Sequence, residues 1–289
     1  MNLVLLTFGE RLENHYQACF SILSFLKDPN IKNVIIVTDR ADFYQFLNGQ
    51  VKFIHINQQT LKEWQGKYQF FWRIKIKALE IVQQHYPEQN LLYIDSDTFL
   101  ASNLDKMYIA LNQGQTFMHK AEYTLGSQAN NTIKKMYQSL NGQTFANIPL
   151  NEHSMMWNAG VIALPANKAK EIIQLTLQLC DEICATNCTR RLVEQFSFSI
   201  ALNHQIQLQA CDNLIGHYWS NKEEWNEMIA KFFVNGYLQN MSLEEAINQL
   251  RDFDWNCLPI HKKQRNTKTR LIKLIDHLFP AKNIQYFSK

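Results

Sequence analysis

Short apolar segments alternate with segments of helical periodicity over the first hundred residues, and this alternation restricts the fold more than any other feature of the chain. Four segments have the short apolar runs of buried strands: NLVLLTF, NVIIVTD, VKFIHI and NLLYID. Helical patterns lie between them, with apolar residues three and four apart in ERLENHYQACFSILSFLK and WRIKIKALEIVQQHY. Strands and helices in alternation form a mostly parallel sheet with helices on both faces. We therefore predict an α/β fold.

The length and the even composition of the chain indicate one main domain. The chain has 289 residues, and no glycine- or proline-rich segment interrupts it. We expect one α/β domain over residues 1–258 and a helical C-terminal appendage over residues 259–289. The start MNLVLLTFGERL lacks the basic residues of a signal peptide, and no apolar run reaches the roughly 18 residues of a membrane-spanning helix. The expected location is therefore the cytoplasm.

Positive charge is concentrated in the C-terminal appendage. The whole chain has a net charge of +3, but residues 260–289 contain eight lysines and arginines against one aspartate, so the remaining residues carry −4. We expect no nucleic-acid partner, because a mildly acidic body does not suit a nucleic-acid groove. Apolar residues of the appendage form one helical stripe: Leu271, Leu274, Ile275, Leu278 and Phe279. Such a basic helix either docks on the domain or lies on an anionic membrane surface, which would make the protein peripheral at the inner face of the membrane.

The segment LLYIDSDTFL places Asp95 and Asp97 directly after the fourth predicted strand. In open α/β sheets ligands bind beyond the carboxyl ends of the strands, so both carboxylates should project into that crevice, with Ser96 directed the other way. Two carboxylates this close repel each other unless a cation lies between them, and a divalent metal that prefers oxygen ligands suits the pair. The alternative is a structural turn in which Asp95 caps the following helix.

Two other chemistries that use paired aspartates fit this segment poorly. A haloacid-dehalogenase-type phosphatase requires Asp-x-Asp-x-Thr near the first strand, whereas here Phe99 holds the last position and the motif follows the fourth strand. A calcium loop requires another oxygen ligand two residues after the second aspartate and then a glycine, which Phe99 and Asn103 do not supply. We predict neither of them.

Three further segments follow in an order that matches a known family. NAGVIAL contains Asn158, the pair Glu194 and Gln195 opens a later helix, and IGHYW places His217 in an aromatic loop. Together with TFGERLENHYQACFSILSFL and YIDSDTFL, these segments resemble the glycosyltransferases of the GT-A fold over residues 1–225. The resemblance is strongest to the retaining family that includes glycogenin and bacterial lipooligosaccharide galactosyltransferases. It implies that the predicted sheet is the Rossmann-like sheet of that fold.

The resemblance implies a metal site formed by Asp95, Asp97 and His217. These residues would hold Mn²⁺ or Mg²⁺ against the diphosphate of a nucleotide sugar, with a UDP-sugar favoured as the donor. Oxygen ligands suit both ions, and one imidazole shifts the preference toward Mn²⁺. Such an ion would neutralise the charge that grows on the departing nucleoside diphosphate.

The resemblance also implies roles for residues around this metal site. Gln195 stands where the family has its nucleophile or front-face stabiliser, and Glu194 replaces the usual aspartate beside it. Contacts to the nucleotide sugar are expected from strand ends, from the helix before the aspartates and from the histidine loop: Thr7, Phe8, Asp39, Arg73, Lys77, Ser96, Asn158 and Lys222. Lys75, between the two helix cations, is expected to face elsewhere.

Together these features predict a metal-dependent glycosyltransferase. It would move a hexose-type sugar to a glycan or glycolipid acceptor in cell-surface polysaccharide synthesis, with retention of anomeric configuration. Trp157, Trp219 and Trp225 are candidates for stacking on sugar rings. One alternative is a sugar-nucleotide nucleotidyltransferase, but its Gly-x-Gly-x-Arg loop is represented in TFGERL by one glycine and one arginine only. The other alternative is a noncatalytic relative that binds a nucleotide or a glycan.

Overall fold

A computed structural model describes residues 1–47, 49–205, 208–262 and 266–279. Its strands are β1 (Asn2–Thr7), β2 (Asn33–Thr38), β3 (Val51–His55), β4 (Leu91–Ile94), β5 (Thr98–Leu100), β6 (Thr116–Met118), β7 (Ala121–Thr124), β8 (Thr144–Phe145), β9 (Ile148–Pro149), β10 (Met155–Trp157), β11 (Val161–Leu164), β12 (Leu208–Ala210) and β13 (Ile215–His217). Its α-helices are α1 (Leu12–Phe25), α2 (Gln58–Trp64), α3 (Arg73–His85), α4 (Asp105–Asn112), α5 (Asn131–Leu140), α6 (Ala166–Cys184), α7 (Val193–Gln205), α8 (Lys222–Leu238), α9 (Leu243–Arg251) and α10 (Asn266–Leu278). Short 3-10 segments cover Ala41–Leu47, Leu125–Ser127 and Arg190–Leu192.

Seven strands form the central sheet, in the order β12-β6-β11-β4-β1-β2-β3. β1 pairs in parallel with β2 and β4, β2 with β3, and β6 with β12. β11 is antiparallel to both of its neighbours, β4 and β6. The prediction of a mostly parallel α/β sheet is confirmed.

Helices cover both faces of this sheet. Side chains alternate between the two faces along each strand, so one strand contributes to the core on either side. In β1, Val4 belongs to a core formed with α3, α5, α6 and α7, whereas Leu3 and Leu5 belong to a core formed with α1, α4, α8 and α9. All three side chains are fully buried. Both faces of the strand are therefore apolar, as its unbroken run of apolar residues indicates.

The chain after β4 turns sharply and positions the two aspartates at the carboxyl edge of the sheet. β5 follows Asp97 directly and pairs antiparallel with β13, so that His217 lies opposite Thr98. The Thr98 hydroxyl donates to the Asp95 carbonyl at 2.8 Å and closes the turn. Asp95 does not cap the next helix, because α4 begins only at Asp105. The alternative, a structural turn in which Asp95 caps the following helix, is therefore wrong.

The C-terminal part of the chain packs on the domain as far as residue 262. The Pro259 carbonyl accepts hydrogen bonds from Asn221 and Trp225, and Lys262 pairs with Glu224. Beyond it, the apolar side chains of α10 are 47 to 75 % exposed at the five predicted stripe positions and 48 % at Ile272. Most basic residues of the appendage lie outside the described side chains: Lys263, Arg265, Lys268, Lys273, Lys282 and Lys289. Among the described residues, no helix has the length and hydrophobicity needed to cross a bilayer.

Candidate active site

Three potential metal ligands converge at the carboxyl edge of the sheet. The ligand atoms of Asp95, Asp97 and His217 all lie within 4.8 Å of one another. Asp97 and His217 are buried, and the Asp95 side chain is 28 % exposed. Within the described part of the chain, no other cluster of three or more histidine, cysteine or acidic side chains has this geometry.

The hydrogen bonds of His217 orient its imidazole for metal binding. Nδ1 lies 3.0 Å from Oδ1 of Asn158, which also accepts the Gly160 N–H at 3.0 Å. An amide oxygen only accepts, so Nδ1 donates, and the other ring nitrogen, Nε2, is directed away from Asn158. Nε2 faces Oδ2 of Asp97 at 3.5 Å, so these two atoms are placed to share a proton or a metal ion. Two carboxylates and an imidazole held in this way suit Mn²⁺ or Mg²⁺.

Glycine at position 160 is required by this arrangement. A methyl group at residue 160 would overlap the imidazole of His217. We expect Gly160→Ala to displace that ring, to weaken Mn²⁺ binding in a calorimetric titration at least about tenfold and to cost about 1 to 3 kcal/mol of stability. Gly142→Ala is the matched control, because Gly142 has a φ of +76° and open space around it. The control should lose about 1 kcal/mol of stability and keep its metal affinity; equal metal affinity in both variants would contradict the assignment of His217.

Lys75 lies at the centre of the site, and the expectation that it faces elsewhere is corrected. Its Nζ lies 3.1 Å from Oδ1 of Asp95 and 3.2 Å from Oε1 of Glu194, and it donates to the Ala159 carbonyl at 3.2 Å. The residue is 6 % exposed. Burial alone would lower the pKa of Lys75, but the two carboxylates outweigh burial and raise it above its ordinary value. The ammonium is therefore a fixed positive charge between two acidic groups.

A signal for Lys75 exists in the sequence. It shares one helical face with Ala78, Leu79 and Val82, at spacings of three, four and seven residues, and these three side chains are fully buried. A lysine on the apolar face of a helix is buried only with a charged partner.

Glu194 and Gln195 have different surroundings although they are adjacent. Burial raises the pKa of Glu194 above its ordinary value, the nearby Asp95 adds to the effect, and Lys75 opposes it. The Gln195 amide instead donates to Glu122 at 2.9 Å, and its oxygen accepts the Ala159 N–H at 3.4 Å. Glu194 is thus engaged by Lys75, whereas Gln195 is held at the surface of a cavity.

Glu122, which the sequence does not single out, fixes two predicted site residues. It lies on β7, accepts from Gln195, and also accepts from the Asn158 amide at 3.1 Å. Asn158 therefore contacts both Glu122 and His217, and we infer that it positions the histidine. The signal for Glu122 is absent from the sequence, because the pairing of β7 with β10 brings it there.

Lys222, the first residue of α8, occupies the open side of Asp97. Its Nζ lies 2.9 Å from Oδ2 of Asp97, and its side chain is half exposed. Burial alone would raise the pKa of Asp97, but His217 and Lys222 outweigh burial and hold it well below its ordinary range. Asp97 is therefore ionised, and a metal ion that bound its Oδ2 would have to displace the half-exposed ammonium of Lys222.

Two cavities meet at these residues. The first, of about 230 Å³, is lined by Thr7, Phe8, Asn14, Phe71, Trp72 and Ser96 among others. The second, of about 640 Å³, is lined by Glu122, Asn158, Arg191, Gln195, His217 and Trp219 among others. Lys75, Asp95, Asp97 and Lys222 line both cavities. A ligand that fills both would cross the metal cluster.

The remaining predicted contacts lie outside the two cavities. Arg73 pairs with Asp181 at 2.7 Å, and Lys77 pairs with Glu80. Asp39 accepts the Gly9 N–H at 2.9 Å and the Gln58 amide at 3.3 Å. Arg73 and Lys77 are thus occupied by partners on the protein, which leaves Lys75 as the cation of α3 at the site.

Of the three tryptophans proposed for sugar stacking, Trp219 lines the second cavity, and Trp157 and Trp225 line neither of these two cavities. Trp219 is 47 % exposed at the second cavity. Trp225 is fully buried and stacks on Tyr218, with 4.6 Å between the ring centroids, and Trp157 packs against the core.

His119 packs edge-on against His217, and we expect it to make the stability of the protein depend on pH in the acid range. Its Nε2 donates to the Ile215 carbonyl at 3.0 Å, and burial, together with the charge of His217, lowers its pKa to about 4. Between about pH 6.5 and 4 the unfolded chain binds a proton that the folded protein does not, so stability should fall as the pH drops through this window, by about 3 kcal/mol. His119→Gln should flatten the pH dependence of urea unfolding there; an unchanged dependence would show that His119 titrates normally.

No family model matches the chain, and no curated protein matches its sequence. Among solved structures, an active-site mutant of LgtC is similar at 13% identity over 70% of each chain, with a TM-score of 0.44. Galactosyltransferase LgtC in complex with donor and acceptor sugar analogs is similar at 11% identity over 80% of this chain and 96% of that chain, with a TM-score of 0.46. Mouse xyloside xylosyltransferase 1 in its apo form is similar at 12% identity over 73% of this chain and 85% of that chain, with a TM-score of 0.45. At these identities and TM-scores the likenesses assign no activity to this chain.

Proposed function

We propose that the protein is a metal-dependent glycosyltransferase that moves a sugar from a UDP-sugar to a glycan or glycolipid acceptor, with retention. The observation that carries this proposal is the convergence of Asp95, Asp97 and His217 where two cavities meet, beside the ammonium groups of Lys75 and Lys222. Two carboxylates, an imidazole and two cations at one edge of the sheet match the needs of a diphosphate with a bound metal.

The three metal ligands suit a divalent ion, and Mn²⁺ suits them best because one of them is an imidazole. Asp95, Asp97 and His217 would hold the ion, which when bound would offset the negative charge of the diphosphate. Lys222 would then be released from Asp97 and could bind a phosphate oxygen instead.

The first cavity is the proposed site of the nucleoside. Thr7 and Phe8 border it, Ser96 lines it close to the aspartates, and Asp39 follows β2 at the same edge of the sheet. The second cavity is left for the sugar and the acceptor. Gln195 faces that cavity, and we assign it the role of contacting the reacting sugar.

Lys75 and Glu194 act in this proposal as positioning residues. Lys75 fixes Asp95 by its ion pair, and the Tyr93 hydroxyl donates to the same carboxylate at 2.9 Å. Glu194 offsets the charge of Lys75 when Asp95 is engaged by a metal. Arg73 and Lys77 have no part in this assignment, because each is paired away from the cavities.

The proposed transfer exchanges one bond for another at the anomeric carbon. The bond from this carbon to the diphosphate oxygen breaks, and its electron pair stays on the diphosphate. The acceptor hydroxyl oxygen forms the new glycosidic bond on the same face of the sugar, and its proton passes to the departing diphosphate. The Gln195 amide carries no ionisable group, so it contributes by orientation and hydrogen bonding.

Turnover with a panel of donors tests this function. We expect the full-length protein with Mn²⁺ to release UDP from at least one UDP-sugar, to release it faster when saccharides are added, and to release none in the presence of EDTA. Pyrophosphate-coupled formation of a nucleotide sugar from UTP and a sugar 1-phosphate would instead indicate the nucleotidyltransferase. Binding of UDP without turnover of any donor would favour the noncatalytic relative.

We also propose that α10 holds the protein on an anionic membrane surface at the cytoplasmic face, where a glycolipid acceptor would lie. Its support is an exposed apolar stripe in a segment with a net charge of +7. The full-length protein should co-sediment with vesicles that contain phosphatidylglycerol and not with phosphatidylcholine vesicles. Ile275→Glu should release it, whereas Val234→Glu, at an exposed apolar residue of α8, should not; equal binding of both variants would contradict a role for the stripe.

A further inference from the structure

An exposed arginine lines the second cavity. Arg191 is exposed, lines the cavity, and makes no hydrogen bond or ion pair with any residue of the described ranges. Its neighbour Arg190 is bound instead, since it donates to the Tyr68 carbonyl at 2.5 Å. The two arginines are adjacent in the chain, yet only Arg191 lines the cavity.

The position of Arg191 places it close to the proposed reacting centre. The 3-10 segment Arg190–Leu192 runs directly into α7, so Arg191 and Gln195 are four residues apart on one helical path. Four residues along such a path correspond to about 6 to 8 Å, depending on how much of it is 3-10 helix. Both side chains line the second cavity. A group bound by Arg191 would therefore lie within one or two sugar rings of Gln195.

The other charged side chains around this cavity are engaged by partners on the protein. Glu122 accepts from Asn158 and Gln195, and Lys222 pairs with Asp97. Lys75 is likewise held by its two carboxylates. Arg191 is thus the charge that remains free to bind a ligand among the described residues that line the cavity.

Two further features of the cavity suit a charged saccharide. Trp219 presents an exposed indole, a flat apolar surface on which sugar rings pack. The helix α5 begins beside the cavity, where Asn131 and Thr132 contribute to its lining, and the start of a helix adds a partial positive charge. An aromatic face and a free guanidinium in one cavity are complementary to a sugar ring with an acidic substituent.

We propose that the second cavity binds an acidic saccharide as the acceptor, with its carboxylate or phosphate paired to Arg191 and its ring against Trp219. This inference rests on the proposed glycosyltransferase function and specifies the acceptor class. A guanidinium binds either anion through two parallel hydrogen bonds. Neutral saccharides would leave Arg191 solvated and would lack this contact.

Saturation-transfer NMR with three matched probes tests the inference. The probes are methyl glucoside, methyl glucuronide and methyl glucoside 6-phosphate, which share a ring and differ only at carbon 6. With UDP and Mn²⁺ present, we expect the two anionic probes to bind about fivefold more tightly than the neutral one, as for a partly exposed ion pair. Arg191→Gln should remove this preference, and Arg191→Lys should retain part of it. Comparison of methyl glucuronide with methyl glucoside 6-phosphate shows whether a carboxylate or a phosphate is preferred.

Arg190→Gln is the matched control, since it removes a neighbouring arginine outside the cavity. It should keep the preference for anionic probes. Equal binding of neutral and anionic probes, or an unchanged preference in Arg191→Gln, would overturn the inference. Metal-dependent release of UDP from a donor is measured separately with the same protein preparations, without added UDP or saccharide probes. The proposed function can then hold even if the inference of an acidic acceptor fails.

Discussion

Asp97→Asn should lower the affinity of the protein for Mn²⁺ by at least about 100-fold, because it removes a buried, charged ligand of the cluster. Asp97 is 3 % exposed, and its carboxylate faces both His217 and Lys222. Asparagine keeps the shape of the side chain but loses the charge that a divalent ion needs. The measurement is a calorimetric titration with Mn²⁺ in the presence of UDP.

The control for this variant is Asp212→Asn, at an exposed aspartate in the loop before β13. It should bind Mn²⁺ as the native protein does. If Asp97→Asn and Gly160→Ala both retained the native affinity for Mn²⁺, the carboxylates at the end of β4 would not form a metal site.

Lys75→Met should destabilise the fold by about 3 to 5 kcal/mol, the typical cost of breaking a buried charge pair by removing one partner. The substitution leaves the carboxylates of Asp95 and Glu194 close together without a cation. Urea unfolding at neutral pH measures the loss. Because burial raises the pKa of Glu194 and its protonation relieves the repulsion, the variant should recover stability relative to the native protein as the pH is lowered toward 5.

Lys77→Met, two residues along the same helix, separates this effect from a general loss of helix charge. Lys77 pairs with Glu80 near the surface, so its removal should cost no more than about 1 kcal/mol. Equal losses in the two variants, or a Lys75 variant with no pH dependence of its own, would contradict a buried charge centre at Lys75.

The centre of the sheet could be predicted from the sequence because its strands β1, β2 and β4 are buried on both faces. β1, β2 and β4 are unbroken apolar runs, and each lies where the sequence predicts a strand. The reversal of β11 could not be predicted, since an apolar run of four residues carries no information on direction. The pairing of β5 with β13, which brings His217 to the aspartates, depends likewise on contacts between distant segments.

The metal cluster could be anticipated in part, because Asp95 and Asp97 follow a strand directly. The cations around it could not be assigned by spacing alone. Arg73 and Lys77 do share a face of α3, but Lys75 lies about 200° from Arg73 around the helix axis. Since Lys75 faces the sheet, the other two face away from it. Packing decides which side of a helix is buried, and the buried residues Ala78 and Leu79 mark that side of α3.

Thermal unfolding with UDP, in the presence and absence of Mn²⁺, tests the central claim most directly. A ligand that binds the folded state raises its apparent stability by mass action. If Asp95, Asp97 and His217 hold a metal against a diphosphate, UDP with Mn²⁺ should raise the unfolding temperature of the native protein clearly more than either ligand alone, and Asp97→Asn should show no such increase. The same unfolding temperature with UDP and Mn²⁺ together as without ligands, in the native protein, would contradict the account.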